Sequence, residues 1–198
     1  MKKQSVIQAP MGEKTVLLHT CCAPCSSAIV EALLQNGITP VIYYCNPNIY
    51  PHQEYEIRKN ECTRYAQSLG LEIIDADYDH ENWLDAVCGL ESEPERGARC
   101  LECFKLRLLR TAEYARSRGI KVITTTLASS RWKSLDQINE AGQWACSRID
   151  SDEVIWWGHN WKKGGLQERR LQILKEYEFY NQLYCGCEFS MRKDLCDK

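Results

Sequence analysis

Short apolar segments alternate with longer amphipathic segments along this chain. We predict strands where the segments are short and β-branched, at 15–20, 39–45, 71–78, 121–126 and 153–158. We predict helices at 26–37, 51–70, 80–90, 99–119, 134–148 and 166–180, the first capped by Ser26 or Ser27. This order predicts an α/β fold, a single Rossmann-like domain over residues 15–190 whose mostly parallel sheet carries helices on both faces. Residues 1–14 are expected to form a flexible tail, and residues 191–198 a C-terminal tail.

Three polar turns follow predicted strands: CCAPC after the first, YCNPN after the second and TTLASSRWK after the fourth. The carboxyl ends of parallel strands lie at one edge of the sheet, and ligands bind beyond that edge. No G-x-G-x-x-G or Walker loop follows the first strand, which argues against a phosphate-binding turn there. Thiols and a proline occupy that turn instead, so this edge is a candidate site for metal or redox chemistry.

Cysteine is unusually frequent, with 12 residues among 198. The N-terminal segment lacks the apolar core of a secretory signal, and no apolar run approaches the roughly 20 residues of a membrane-spanning helix. We therefore expect a cytoplasmic protein with no membrane partner. In a reducing compartment, clustered cysteines bind metal or carry out redox chemistry more often than they form structural disulfides.

Two cysteine pairs suggest a metal centre. Cys21 and Cys22 follow the first strand, and Cys100 and Cys103 begin a predicted helix, where the helix dipole favours thiolates. Four thiolates are the usual complement of a [4Fe–4S] cluster. A Cys₄ zinc site and unrelated buried thiols are the alternatives, although adjacent cysteines suit a small tetrahedral ion poorly.

The remaining cysteines allow several interpretations. Cys185 and Cys187 flank Gly186, a spacing that permits a tight, labile disulfide, two further metal ligands or a reduced surface pair. Cys25 could complete the metal site, bind a second ion or be a small buried residue. We expect Cys45 and His19 to be buried. We assign no role to the remaining four thiols, which are Cys62, Cys88, Cys146 and Cys196.

Charge is distributed unevenly between the two halves of the chain. Residues 1–98 carry 7 Lys and Arg against 14 Asp and Glu, whereas residues 99–198 carry 18 against 13. The positive half suits RNA, although solvated helix faces are the simpler explanation. Segments 129–133 and 161–170 combine tryptophan with cations, as loops that bind a nucleic-acid backbone and stack on a base do.

Five motifs follow one another in order along nearly the whole chain. They are LLHTCCAPCSS, YYCNPNIYPHQEYEIRKNE, ERGARCLECFKLRLLRTAEYA, TTTLASSRWKSLDQI and GGLQERRLQILKEYEFYNQLYCGCEFS. Together they resemble the QueH-type epoxyqueuosine reductases. The resemblance implies a fold similar to the nucleotide-binding (HUP-like) α/β domains of ATP-using tRNA-modifying enzymes. It also implies the last step of queuosine synthesis, in which the epoxide of epoxyqueuosine at the tRNA wobble position is reduced to queuosine.

The resemblance further implies roles for individual residues. Cys21, Cys22, Cys100 and Cys103 would bind a [4Fe–4S] cluster, and Cys185 and Cys187 would form a redox-active disulfide. The partners would be tRNA with a GUN anticodon and an electron donor that the sequence does not identify.

Two hypotheses extend these roles. Cys25 would help to hold an additional iron ion. The tRNA contacts would come from cationic and aromatic side chains, namely Tyr50, Arg131, Trp132, Lys133, Lys162, Lys163 and Arg170.

Two functions of other classes compete with this one. The first is a zinc-stabilised RNA-binding module without catalysis. The second is a thiol–disulfide oxidoreductase that acts on proteins, with Cys100 and Cys103 as its redox pair.

Overall fold

A five-stranded, fully parallel sheet forms the centre of the computed structural model, which describes residues 6–149 and 153–191. The strands are β1 (Thr15–Thr20), β2 (Thr39–Tyr44), β3 (Ile73–Asp75), β4 (Val122–Thr125) and β5 (Ile155–Trp156). Their order across the sheet is β3-β2-β1-β4-β5. The predicted α/β class and Rossmann-like architecture are confirmed.

The helices cover both faces of this sheet. They are α1 (Ala23–Gln35), α2 (His52–Ser68), α3 (His80–Ala86), α4 (Ala98–Ser117), α5 (Leu135–Arg148) and α6 (Leu166–Glu176). Helix α1 packs against α2 and α6, whereas α4 packs against α5. Because parallel crossovers are right-handed, the reversal of strand order after β3 sends α4 and α5 to the opposite face, whereas α6 returns to the face of α1.

The central strand β1 pairs with β2 on one side and β4 on the other. All of its residues after Thr15 are buried, as expected for a strand covered on both faces. Strands β3 and β5 lie at the sheet edges and are shorter than the predicted segments 71–78 and 153–158. An edge strand has only one hydrogen-bonded neighbour, so less of its length is held in the ladder.

Helix α1 begins earlier than predicted. Cys22 is its N-cap residue, in extended conformation, and Pro24 lies in the first turn, where its missing N–H costs no hydrogen bond. The prediction of Ser26 or Ser27 as the cap is therefore wrong. Their hydroxyls instead donate to carbonyls in the first helical turn, at 3.2 and 3.5 Å. The early start brings the CCAPC segment into the helix N-terminus.

The core extends into the segment that was expected to be a tail. Ile7 and Ala9 are buried, and the Ile7 N–H donates to Asn36 Oδ1 at 3.0 Å. Across residues 6–149 and 153–191, no helix is both long enough and apolar enough to cross a membrane.

Candidate active site

The carboxyl ends of β1 and β4 lie side by side at the point where the strand order reverses, which is the usual ligand position in such a sheet. A 3₁₀ turn, Thr126–Ser129, follows β4 directly and faces the start of α1. The Cys21 N–H donates to Thr126 Oγ1 at 3.2 Å, and the Thr126 hydroxyl lies 3.4 Å from the Cys21 sulfur. These contacts fix the first cysteine of the CCAPC segment at the switch point.

Three thiols gather at this position. The sulfurs of Cys21, Cys22 and Cys25 lie within 4.8 Å of one another, and those of Cys21 and Cys22 are 3.9 Å apart. Hydrogen bonds from Cys22 and Cys25 lower the pKa of Cys21 well below its usual value. The same pairing raises the pKa of Cys22, and raises that of Cys25 to about 12. One thiolate with two thiol neighbours is a soft donor set suited to a metal.

Cys100 and Cys103 form a separate pair in the first turns of α4. The Arg96 N–H donates to the Cys100 sulfur at 3.3 Å, and burial raises the pKa of Cys100. Cys103 is buried in a small apolar cluster with Trp83, Val87 and Cys187. Neither α4 sulfur belongs to the group of three around Cys21.

Arg107 connects the two groups of thiols. Its guanidinium lies 4.0 Å from the Cys103 sulfur, donates to the Cys45 carbonyl at 3.2 Å and contacts Asn46 Oδ1. The Asn46 amide in turn donates to the Thr20 carbonyl at 2.9 Å, next to Cys21. Cys103 therefore lies at the same edge of the sheet as the CCAPC segment.

The buried histidine of β1 supports this network, as expected for a core residue. His19 is fully buried, and its Nε2–H donates to the Cys45 carbonyl at 3.0 Å while Nδ1 accepts from the Thr125 hydroxyl at 2.6 Å. Since a carbonyl only accepts, the proton is on Nε2. Burial lowers the pKa of His19 to about 3, so the ring is neutral. Cys45 is fully buried, as predicted.

The Cys-Gly-Cys segment reaches the site from the C-terminal end of the chain. The Lys133 ammonium donates to the Cys185 sulfur at 3.2 Å, and Arg58 donates to the Cys185 and Tyr184 carbonyls at 3.1 and 3.2 Å. Burial raises the pKa of Cys187 to about 12. All cysteines in the described part of the chain are free thiols, so the Cys185–Cys187 disulfide stays a prediction. Cys196 lies outside the described residues.

These elements enclose a cavity of about 840 Å³, which Cys21, Cys25, Arg107 and Cys185 help to line. Five of the seven side chains predicted to contact tRNA also line it, namely Arg131, Trp132, Lys133, Lys162 and Arg170.

The other two predicted tRNA contacts lie outside that lining. The Tyr50 ring stacks on His80 at 5.8 Å, and Lys163 is exposed.

Two tryptophans near this cavity differ sharply in environment. Trp132 is 61% exposed, and the Arg131 guanidinium lies 4.7 Å from its ring centroid. Trp161, in the segment 161–170 that was expected to stack on a base, is fully buried and its indole N–H donates to Thr124 Oγ1 at 3.3 Å. Stacking by Trp161 is therefore excluded, because the ring is part of the core.

Several residues of the site were not predicted from the sequence. Arg107 is the clearest, and its signal was its position one turn after Cys103 on the buried stripe of α4. Gln182 was missed as well, although its amide donates to the Cys22 sulfur at 2.9 Å. No pattern in the sequence pointed to Gln182, since this contact spans 160 positions.

Comparison with known proteins identifies the family. Residues 16–193 match the family model described as epoxyqueuosine reductase QueH. A protein of that name from Haemophilus influenzae is 48% identical over 186 residues, covering 94% of this chain and 75% of the relative. One from Acinetobacter baylyi is 44% identical, covering 96% and 87%, and one from Thermotoga maritima is 33% identical, covering 89% and 90%. The chain belongs to the epoxyqueuosine reductase QueH family.

Proposed function

We propose that this chain is an epoxyqueuosine reductase that acts in the cytoplasm on tRNA with a GUN anticodon. It reduces the epoxide of epoxyqueuosine at the wobble position to the alkene of queuosine. The observation that carries the proposal is the convergence, in a member of this family, of thiols from two distant segments and several cations around one cavity, with Cys100 of α4 lining a smaller cavity beside it.

A metal group is part of the proposal, and the donor chemistry fits it. Thiols select soft or borderline metals, and the hydrogen-bonded group around Cys21 favours one thiolate. Cys21, Cys22, Cys100 and Cys103 would hold a [4Fe–4S] cluster, and Cys25 an additional iron ion. When bound, the cluster transfers single electrons and the additional iron acts as a Lewis acid.

The Cys185–Cys187 pair supplies the two electrons that the reaction consumes. Oxidation of the two thiols to a disulfide releases two electrons and two protons. The epoxide takes up the same number as it becomes an alkene and water. An external electron donor then reduces the disulfide. We expect the pair to reduce the metal site rather than to touch the epoxide.

The cavity suits an anticodon loop, whose bases are single-stranded and can be turned outward. Trp132 offers an exposed ring for stacking, and Lys162 and Arg170 place positive charge on the cavity wall. The cation Arg107 lies deeper, so positive charge extends from the cavity wall to the thiols.

Anaerobic purification, with iron, sulfide and zinc analysis, tests this function when it is combined with a reduction assay on tRNA that carries epoxyqueuosine. We expect bound iron and sulfide, and loss of one oxygen mass from the modified nucleoside. A colourless protein with one zinc that binds RNA without reducing it would indicate the RNA-binding module. Iron-independent reduction of protein disulfides would indicate the thiol–disulfide oxidoreductase.

A further inference from the structure

We propose that Cys185 is the sulfur through which the Cys185–Cys187 pair exchanges with an external thiol reductant, and that Lys133 is the catalytic residue that activates it. This inference rests on the redox role given to the pair under the proposed function. It assigns different tasks to two cysteines that the sequence presents as equivalent.

Access distinguishes the two sulfurs. Cys185 lines the main cavity, whereas Cys187 does not. Both cysteines line the smaller cavity beside it, whose volume of about 40 Å³ is too small to admit a thiol reductant. Cys187 is only 8% exposed and packs with Trp83, Val87 and Cys103 in the small apolar cluster. Phe189 packs against the same cluster. An external thiol must therefore attack Cys185, because thiol–disulfide exchange requires an approach to the sulfur.

The electrostatic environment also favours Cys185 over Cys187 as the reactive sulfur. The Lys133 ammonium donates to the Cys185 sulfur at 3.2 Å, and no carboxylate in the described ranges lies within 4.0 Å of Lys133. Burial lowers the pKa of Lys133, yet the charge of Cys185 and Cys21 outweighs this and raises it overall. The ammonium thus contacts the Cys185 sulfur directly and would stabilise a thiolate there, which is the reactive form of cysteine.

The backbone holds this arrangement in place. Arg58, paired with Glu54 at 2.7 Å, donates to the Cys185 carbonyl at 3.1 Å, and the Tyr50 N–H donates to the Gly186 carbonyl at 2.8 Å. On the other side, Lys162 Nζ donates to the Lys133 carbonyl at 3.2 Å. Hydrogen bonds from other residues therefore hold the backbone on both sides of the Lys133–Cys185 contact.

The exchange balances with two equivalents of a thiol reductant. The first thiol attacks Cys185, the bond between the two protein sulfurs breaks, and the thiol proton passes to Cys187. A mixed disulfide remains on Cys185. The second thiol attacks the reductant sulfur of that bond, which releases the oxidised reductant and returns Cys185 as a thiolate paired with Lys133, with one proton lost to solvent.

Site-resolved alkylation tests the proposal on the full-length, reduced protein. A short pulse of iodoacetamide at pH 7 is followed by tandem mass spectrometry, which localises the label within the peptide that holds both cysteines. We expect Cys185 to be labelled at least roughly tenfold faster than Cys187, and Lys133→Met to slow Cys185 by about tenfold. The exposed Cys88 serves as the internal reference, with the same rate in every variant.

Two further variants control for charge and folding. Lys121→Met removes an exposed lysine that directly precedes β4, at the amino ends of the strands and away from the cavity. It should leave the rate of Cys185 labelling unchanged. Lys133→Arg keeps the positive charge and should retain most of the rate, with a far-ultraviolet spectrum like that of the parent. If Lys133→Met does not fold, Lys133→Arg and the ratio of the two cysteines in the parent still decide the matter.

Three outcomes would overturn the proposal: labelling of Cys187 at the rate of Cys185 or faster, a change below twofold in Lys133→Met, or a Lys133→Arg rate as low as that of Lys133→Met. None of these measurements requires tRNA. Failure of the parent protein to reduce epoxyqueuosine would count against the proposed function alone.

Discussion

The Arg107 guanidinium lies 4.0 Å from the Cys103 sulfur, deep inside the protein. In the part of the chain that the structure describes, no carboxylate lies within 4.0 Å of Arg107. A buried cation without a carboxylate is costly unless another anion or hydrogen bonds compensate for it. Here the acceptors are the Cys45 carbonyl and Asn46, and the nearest group that can become anionic is a thiol.

Replacement of Arg107 by lysine should destabilise the protein, because one ammonium cannot occupy the three positions that the guanidinium bridges. We expect Arg107→Lys to lower the free energy of unfolding by about 1–3 kcal/mol. Urea denaturation followed by circular dichroism measures this change. Arg116→Lys is the matched control, since Arg116 is half-exposed and pairs with Glu153, and it should change stability by less than about 0.5 kcal/mol. Equal effects of the two variants would contradict the structural role of Arg107.

Gly186 should not tolerate a side chain. Its φ is +113°, and an added Cβ would lie 2.9 Å from Ile49 Cγ1 and 3.0 Å from Arg58 Nη1. Gly186→Ala should therefore cost about 1–3 kcal/mol or displace the Cys-Gly-Cys segment. Gly119→Ala, with φ +66° and no atom within 4 Å of its Cβ, should cost only about 1 kcal/mol. Thermal unfolding compares the stabilities of the two variants. A smaller loss of stability in Gly186→Ala than in Gly119→Ala would show that Ile49 and Arg58 do not hold the Cys-Gly-Cys segment in place.

The two tryptophans should separate binding from stability. Trp132→Ala should weaken tRNA binding by about tenfold, from a lost stacking contact of roughly 1–3 kcal/mol, with little change in unfolding. Trp161→Ala should instead cost about 3–5 kcal/mol of stability, since its ring is in the core. Filter binding at a fixed salt concentration measures the tRNA affinity. Urea titration measures the free energy of unfolding. A Trp132→Ala protein with unchanged tRNA affinity would remove Trp132 from the interface.

Cys25→Ala tests the additional iron. Because its sulfur lies within 4.8 Å of those of Cys21 and Cys22, loss of Cys25 should lower iron per chain and reduce activity. The measurement is iron and sulfide analysis after anaerobic purification. Cys146→Ala, which removes a buried thiol far along α5, is the control and should retain the iron of the parent. A Cys25→Ala protein with full iron content and full activity would exclude the hypothesis.

The double variant Cys185→Ala/Cys187→Ala tests where the dithiol acts. If the pair only re-reduces the metal site, the chemically reduced variant should complete one turnover and then stop. Quenched single-turnover assays with tRNA in slight excess measure product per chain, with the parent enzyme as the multiple-turnover control. Absence of any product would mean that the pair itself takes part in reduction of the epoxide.

The fold could be predicted because the alternation of buried strands with amphipathic helices is a local signal. TVLLHT reads as a strand covered on both faces, and β1 has the predicted bounds. Helix starts were less predictable, since serine is the commoner cap and only Pro24 hinted that α1 begins before Ser26. The sequence pattern therefore predicts the presence of a helix or strand more accurately than its first and last residues.

The site could be predicted only in part. Adjacent and closely spaced cysteines are visible in any sequence, whereas the partner of each sulfur depends on the tertiary fold. Lys133 was interpreted as a tRNA contact from its neighbours along the chain, yet its ammonium faces Cys185, 52 positions away. Trp161 was interpreted in the same way and is buried. A short cationic segment does not reveal which of its side chains turn inward.

The position of β1 at the middle of the sheet protects the backbone before Cys21 from local opening. Both flanks of this strand are bonded, so the backbone leading into Cys21 can open only when the neighbouring strands come apart. The Cys-Gly-Cys segment, by contrast, is an irregular stretch beyond α6, held by a few hydrogen bonds from Arg58, Lys133 and the Tyr50 backbone. Local opening or proteolysis of this segment would therefore displace Cys185 and Cys187 long before it disturbed the thiols of the CCAPC segment.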